Sequence, residues 1–255
     1  MQTHISSSTR EIPCSDIITL HKKAIQLAND YESLLSKQEN EFLEEGINSK
    51  AIPTPKLLIK DHKKMTDGHF PTRLVIPVTN FITTFSKLGL LGLKAILDNS
   101  NVPYNKHTIV QASNLKDKLE NLKINRRNST IASLDIKIMY PSIQFSIIKK
   151  AVTYYTSNLP AGEKEKIHHC LKMIEFGMAS CLITFDDKYF EYRGKDYEND
   201  KGLAIGGYKS SFLANLVTSF LLKHTIHHFN DTTFHDIYGD NGIVVFNGKK
   251  KSTNS

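Results

Sequence analysis

Residues 234 to 246 hold the feature that most constrains the fold. Two short runs rich in β-branched and aromatic residues, Phe234 to Ile237 and Ile243 to Phe246, flank Tyr238-Gly239-Asp240-Asn241. Asn-Gly at 241–242 is a hairpin-turn signal, so the two runs are expected to pair antiparallel. A carboxylate on such a tip projects from backbone held by cross-strand hydrogen bonds. That arrangement suits metal binding, where ligand placement matters more than reach. Asp and Asn are also ordinary turn formers, so the hairpin by itself does not define a site.

A second acidic element lies about a hundred residues upstream. Asp135 ends an apolar run, Ile131 to Leu134, and Pro141 then opens what reads as a helix. An Asp leaving a strand next to a helix start can be a cap, and it is also a common place for metal or phosphate chemistry. Two-metal phosphoryl transfer needs carboxylates from separate elements to converge, with the ions roughly 3.5–4 Å apart. Asp135 and Asp240 occupy two positions of that kind.

Composition sets outer limits. A chain of 255 residues with 40% apolar and 23% charged residues can bury a real core as one or two domains. Its formal charge of +7 and pI of about 9.1 favour a polyanionic partner. Cys14, Cys170 and Cys181 are too few and too scattered for a disulfide framework or a zinc site, which fits a reducing compartment. Met1 to Pro13 lacks the apolar core of a signal peptide. No run approaches the ~20 apolar residues that span a bilayer. An intracellular protein, nuclear or cytoplasmic and without a membrane segment, is the expectation.

Along the chain, apolar spacing predicts one helix from Ser15 to about Gly46, followed by extended structure from Pro53. Leu57 to Ile59 and Arg73 to Val78 read as strands flanking a basic link that includes Lys60, Lys63 and Lys64. Such a link is either a solvated charged loop or a grip on a triphosphate, with Arg73 as a multidentate donor and Lys60 or Lys63 as a point charge. Helices are expected over 85–97, 114–122, 142–158, 163–176 and 210–228, with a hairpin from Cys181 to Arg193 turning at Asp186-Asp187. Gly202 to Gly207 form a glycine-rich approach to the helix at Ser210, where backbone can come close to a ligand. His224 and His228 have i, i+4 spacing without the Glu of a zinc protease and are read as helix-surface residues.

Taken in order, these elements resemble the fingers and palm of reverse transcriptases, most nearly those of Penelope-like retroelements. Lys60-Asp61-His62-Lys63 with Pro71-Thr72-Arg73-Leu74-Val75-Ile76 is similar to that group's fingers segment. Asp135 with Tyr140 five residues on is similar to the first palm motif. Gly206-Gly207-Tyr208-Lys209-Ser210-Ser211, with Asn215, follows the family's Gly-Ser-Pro helix start. Tyr238-Gly239-Asp240-Asn241 takes the place of Tyr-x-Asp-Asp. Asn241 departs from the second Asp, and Ile205 and Ser211 stand where Gln and Pro are usual. The likeness covers roughly residues 55 to 248, and its specificity lies in four motifs in the right order and spacing.

The resemblance implies an α+β, right-hand polymerase fold: fingers and a partial palm, with an antiparallel palm sheet backed by helices. Residues 1–54 would be an N-terminal helical extension, 55–255 the fingers and partial palm, with truncation after the third palm motif and no thumb. It further implies an RNA-directed DNA polymerase, a nucleotidyltransferase of a retrotransposon. Its partners would be an RNA or DNA template with primer, and dNTPs. Asp135, the Ile136 carbonyl and Asp240 would hold two Mg²⁺ ions, with Asn241 beside them. Lys60, Lys63, Arg73, Ile136, Tyr140 and Gly206 would contact the nucleotide. An inert or domesticated nucleic-acid-binding remnant of the same fold is the alternative.

Overall fold

The computed structural model describes residues 9–59, 64–65, 68, 70–77, 80–108, 112–122, 129–179, 181–192, 202–205, 210–226 and 232–247. The first described element is a strand that sequence periodicity does not announce, β1 (Thr9–Ile12). The single helix expected from Ser15 to Gly46 is two helices, α1 (Cys14–Tyr31) and α2 (Lys37–Ser49), separated by a 3₁₀ turn at Glu32–Leu34. The break has a local cause. Ser36 and Glu39 form a capping box: the Glu39 amide donates to Ser36 Oγ at 3.3 Å and the Ser36 amide donates to the Glu39 carboxylate at 2.8 Å. Reciprocal satisfaction of two helix-end donors starts a new helix there.

β2 (Lys56–Ile59) and β3 (Thr72–Val75) form an antiparallel ribbon, much as the apolar runs predict. α3 (Thr83–Asn99) follows, opened by Asn80, whose Oδ1 accepts from the Ile82 and Thr83 amides at 2.9 and 2.8 Å. Then come α4 (Ala112–Glu120) and β4 (Ser129–Asp135). The helix expected from Ser142 to Asn158 is also split, into a single turn α5 (Met139–Ser142) and α6 (Phe145–Tyr155), because Ile143 and Gln144 are extended. α7 (Ala161–Ala179) leads to β5 (Leu182–Phe185) and β6 (Lys188–Tyr192). Both turn residues between those strands, Asp186 and Asp187, have positive φ, at 49° and 57°, as a type I′ hairpin requires. α8 (Ser210–Ile226), β7 (Thr232–Tyr238) and β8 (Asn241–Asn247) complete the described chain.

Among the described residues three sheets result, with strand orders β1-β6-β5, β2-β3 and β4-β8-β7, all antiparallel within the sheets. The helices build the core beside them. α3 packs along α7 at close range, where a Cβ on Gly89 would stand 2.6 Å from the Cys170 carbonyl oxygen. One buried cluster joins α3, α6, α7 and α8 through Leu93, Ile148, Ile174, Leu213 and Val217. A second joins α1 and α2 to the start of α3 through Tyr31, Leu43, Ile47, Phe81 and Phe85. Each such fully buried large side chain contributes about 1.5–3 kcal/mol of transfer free energy. The N-terminal helices therefore share a core with α3, α7 and β5, and β1 hydrogen-bonds to β6.

Candidate active site

The turn in the third sheet is not at Asn241-Gly242, as the dipeptide signal suggests, but two residues earlier. Tyr238 pairs with Asn241, leaving Gly239-Asp240 as a two-residue loop. Gly239 takes φ +60°, a conformation open to glycine at the first central position of a type II′ turn. Asn241 and Gly242 therefore belong to β8, where Gly242 lies opposite Leu134 and Ile237.

This shift places the acidic residues side by side. β4 pairs with β8 so that Asp135 stands opposite Asn241. The Ile136 amide donates to the Asp240 carbonyl oxygen at 2.8 Å, extending the ladder by one rung past the end of β4. Asp135 and Asp240, more than a hundred positions apart in sequence, are thus fixed on adjacent strand ends. Asp135 and Asn241 are exposed and Asp240 is half-buried, so the carboxylates border solvent. Asn241 Nδ2 donates to Asp240 Oδ1 at 2.9 Å. An amide donor occupies the place where a second hairpin carboxylate would repel its neighbour.

The chain turns sharply after Ile136. Ile138 adopts φ +54°, costly for a β-branched residue, and starts α5. Tyr140 in this turn is half-buried, and its ring packs partly against the main core. Pro141 and Tyr140 meet the segment ahead of α8. The Leu203 amide donates to the Tyr140 carbonyl at 3.0 Å, and a Cβ on Gly202 would overlap the Pro141 carbonyl. The same segment reaches the ribbon that bears Arg73, since the Ile76 amide donates to the Ile205 carbonyl at 3.0 Å. Arg73 itself is exposed and pairs across the ribbon with Leu58. Lys60, Lys63 and Gly206 lie outside the described residues.

Among the described residues, no group of three or more His, Cys, Asp or Glu side chains gathers in a metal-ligating arrangement. The pair Asp135 and Asp240, with nearby backbone carbonyls and the Asn241 amide oxygen, is nonetheless an all-oxygen donor set of the kind hard divalent cations prefer. The residues present fit such an ion. His168 is exposed and His169 packs edge-on against Tyr31 at 5.4 Å, so neither joins this site.

One polar cluster next to the site escapes sequence reasoning. Asp236, on β7 four residues before Asp240, is 2% exposed. Lys118 Nζ of α4 donates to its Oδ2 at 2.6 Å, and His107 Nδ1 lies 3.6 Å from its Oδ1. His107 stacks on His235 at 4.3 Å, and its carbonyl accepts from the Ile237 amide at 2.9 Å. Burial holds the His107 pKa below the ordinary imidazole value, against the opposing pull of Asp236. An acidic residue on the buried face of a strand is the only local signal, and its partners lie far away in sequence.

No protein-family model and no curated protein sequence matches the chain. Solved structures do. Telomerase from Candida tropicalis, truncated from its C-terminal domain, aligns with a TM-score of 0.54 at 10% identity, over 97% of this chain and 47% of that one. Telomerase from Candida albicans in complex with a TWJ fragment of telomeric RNA aligns at 0.52 and 10% identity, over 96% and 41%. The Candida tropicalis enzyme with a TWJ fragment of telomeric RNA aligns at 0.51 and 11%, over 79% and 37%. The chain spans less than half the length of each of these telomerases. At such identities the likeness is one of architecture, and the chain has an α+β polymerase fold.

Proposed function

We propose that this chain is the catalytic part of an RNA-directed DNA polymerase, of the Penelope-like retroelement type. The observation that carries the reading is the strand register that sets Asp135 opposite Asn241 and bonds Ile136 to Asp240. It places two carboxylates from separate elements at one end of a sheet, within a fold shared with telomerase. Those telomerases are seen with telomeric RNA fragments, and the net charge of +7 here suits a nucleic acid partner.

Asp135, the Ile136 carbonyl and Asp240 would hold Mg²⁺. The chemistry supplied by two such ions when bound is activation of a primer 3′-hydroxyl and neutralisation of the leaving pyrophosphate. The chain's own residues do the rest. Arg73, with Lys60 and Lys63, binds the triphosphate through charge-assisted hydrogen bonds. Tyr140 lies beneath the sugar and leaves no room for a 2′-hydroxyl, which selects dNTPs. Gly206 lets backbone approach the template or the nascent pair. Residues 1–54 are the N-terminal extension, and its described part shares a core with α3, α7 and β5.

A non-catalytic nucleic-acid-binding role is the second reading. It is favoured by the Asn241 amide, which supplies one negative charge fewer beside a dicationic pair and binds Asp240 directly. Primer extension on an RNA template with dNTPs and Mg²⁺ separates the two. Extension that Asp135→Ala and Asp240→Ala each reduce at least a hundredfold supports the polymerase. Tight template binding, unchanged by either substitution and without extension, would overturn it.

A further inference from the structure

The four residues Gly202 to Ile205 touch three parts of the molecule: the Tyr140-Pro141 turn, the start of α8 and the segment just after β3. Gly202, Leu203 and Ala204 are all buried. At one end, Gly202 lies so close to Pro141 that any side chain would strike the carbonyl group, and the Leu203 amide is bonded to Tyr140 at 3.0 Å. In the middle, the Ala204 carbonyl accepts from Ser210 Oγ at 2.6 Å, which ties the segment to the first residue of α8. At the other end, the Ile205 carbonyl accepts from the Ile76 amide, three residues beyond Arg73. Ile76 is 2% exposed and packs with Ala204, Ile183 and Tyr192 in a small apolar cluster. Among the described residues, the ribbon that carries Arg73 has two strands, and an isolated two-stranded ribbon is marginal in water.

We propose that Gly202–Ile205 is the positioning element that sets the distance between the Arg73 ribbon and the Asp135–Tyr140 turn, with Gly202 as its key residue. The proposal rests on the polymerase reading for its functional consequence, although the mechanical link stands on the hydrogen bonds alone. The backbone of Gly202 fits against the backbone of Pro141, and neither can move aside as a flexible side chain would. A methyl group at 202 must lift the segment from the Tyr140 turn. That lift carries Ile205 with it and loosens Ile76, so the triphosphate donor shifts relative to the carboxylates. Misplacement of a reacting group by about 1 Å costs on the order of a hundredfold in rate.

Hydrogen exchange and kinetics on Gly202→Ala and Ser210→Ala test the idea. In the intact protein the Leu203 and Ile76 amides are expected to be protected. Gly202→Ala should raise exchange at both at least tenfold, although they are 127 positions apart, while Val244 in β8 stays protected. Ser210→Ala, which removes only a hydroxyl, should change the same two amides in the same direction by a smaller factor. It should also raise the KM for dNTP several-fold more than it lowers kcat. If Gly202→Ala does not fold, Ser210→Ala decides by the same pair of amides. Unchanged exchange at Ile76 in the folded variants overturns the link. Absence of nucleotide incorporation by the parent protein overturns the polymerase reading instead, and the exchange data still decide the link.

Discussion

Asn241 is the residue on which the proposed metal chemistry turns. Its amide donates to Asp240 Oδ1 at 2.9 Å, which holds the carboxylate in place without a cation and removes one charge from the donor set. Replacement by Asp reverses both effects. In the absence of metal, two carboxylates then face each other on one hairpin, and repulsion destabilises the fold. With metal, the added charge strengthens binding. For Asn241→Asp we expect Mg²⁺ affinity by calorimetric titration to rise about tenfold, equivalent to ~1.4 kcal/mol. The melting temperature without metal should fall by a few degrees, since about 1 kcal/mol shifts a chain of this size by roughly 2–4 °C. Equal affinity in both proteins would show that position 241 does not face the ion.

At the level of elements, β7 is held from outside by α4 and the segment before it. The buried Asp236 carboxylate receives Lys118, whose side chain is 39% exposed. The two partners are therefore unequal. Lys118→Ala leaves a carboxylate buried without its cation and should cost about 3 kcal/mol, whereas Asp236→Asn, which lets Lys118 turn to water, should cost about 1 kcal/mol. Denaturant unfolding of both variants checks this order. His107 adds a pH dependence. Its folded-state pKa is lowered, chiefly by burial, so the unfolded chain takes up a proton first as pH falls. The contribution is fully present above pH about 6.5 and is lost as pH drops from there through the folded-state pKa. His107→Gln should flatten the stability profile between about pH 5 and 7.

Over the whole molecule, the N-terminal helices are drawn onto α3 and α7 by shared burial. Leu43 of α2 is 1% exposed and packs in the cluster of Phe81 and Phe85. If residues 1–54 fold with the rest, Leu43→Ala should shift a single unfolding transition by about 2–5 kcal/mol, the usual cost of a buried leucine-sized cavity. A separate early transition that alone responds to Leu43→Ala would mark an independent unit.

Local pattern carried much of this protein. An apolar run specified β4, runs of β-branched and aromatic residues specified β7 and β8, the Asp186-Asp187 turn closed its hairpin, and apolar spacing located α3, α7 and α8, because strand and helix periods are properties of neighbouring residues. The interruption at Ser36 was missed, because the apolar period runs straight through it; its signal is the Ser-x-x-Glu capping box. The hairpin turn was misplaced by two residues, since both Gly239-Asp240 and Asn241-Gly242 satisfy turn chemistry. Pairing with β4 accompanies the first choice by placing Asn241 opposite Asp135. Lys118 with Asp236, and Gly202 with Pro141, were beyond reach because each is a contact between distant segments whose value exists only once both are buried. The sequence by itself determined most of the strands and helices around the site and the identities of the acidic residues. Only the tertiary structure decided which strand ends stand side by side, because register is set by cross-strand packing and not by any one strand.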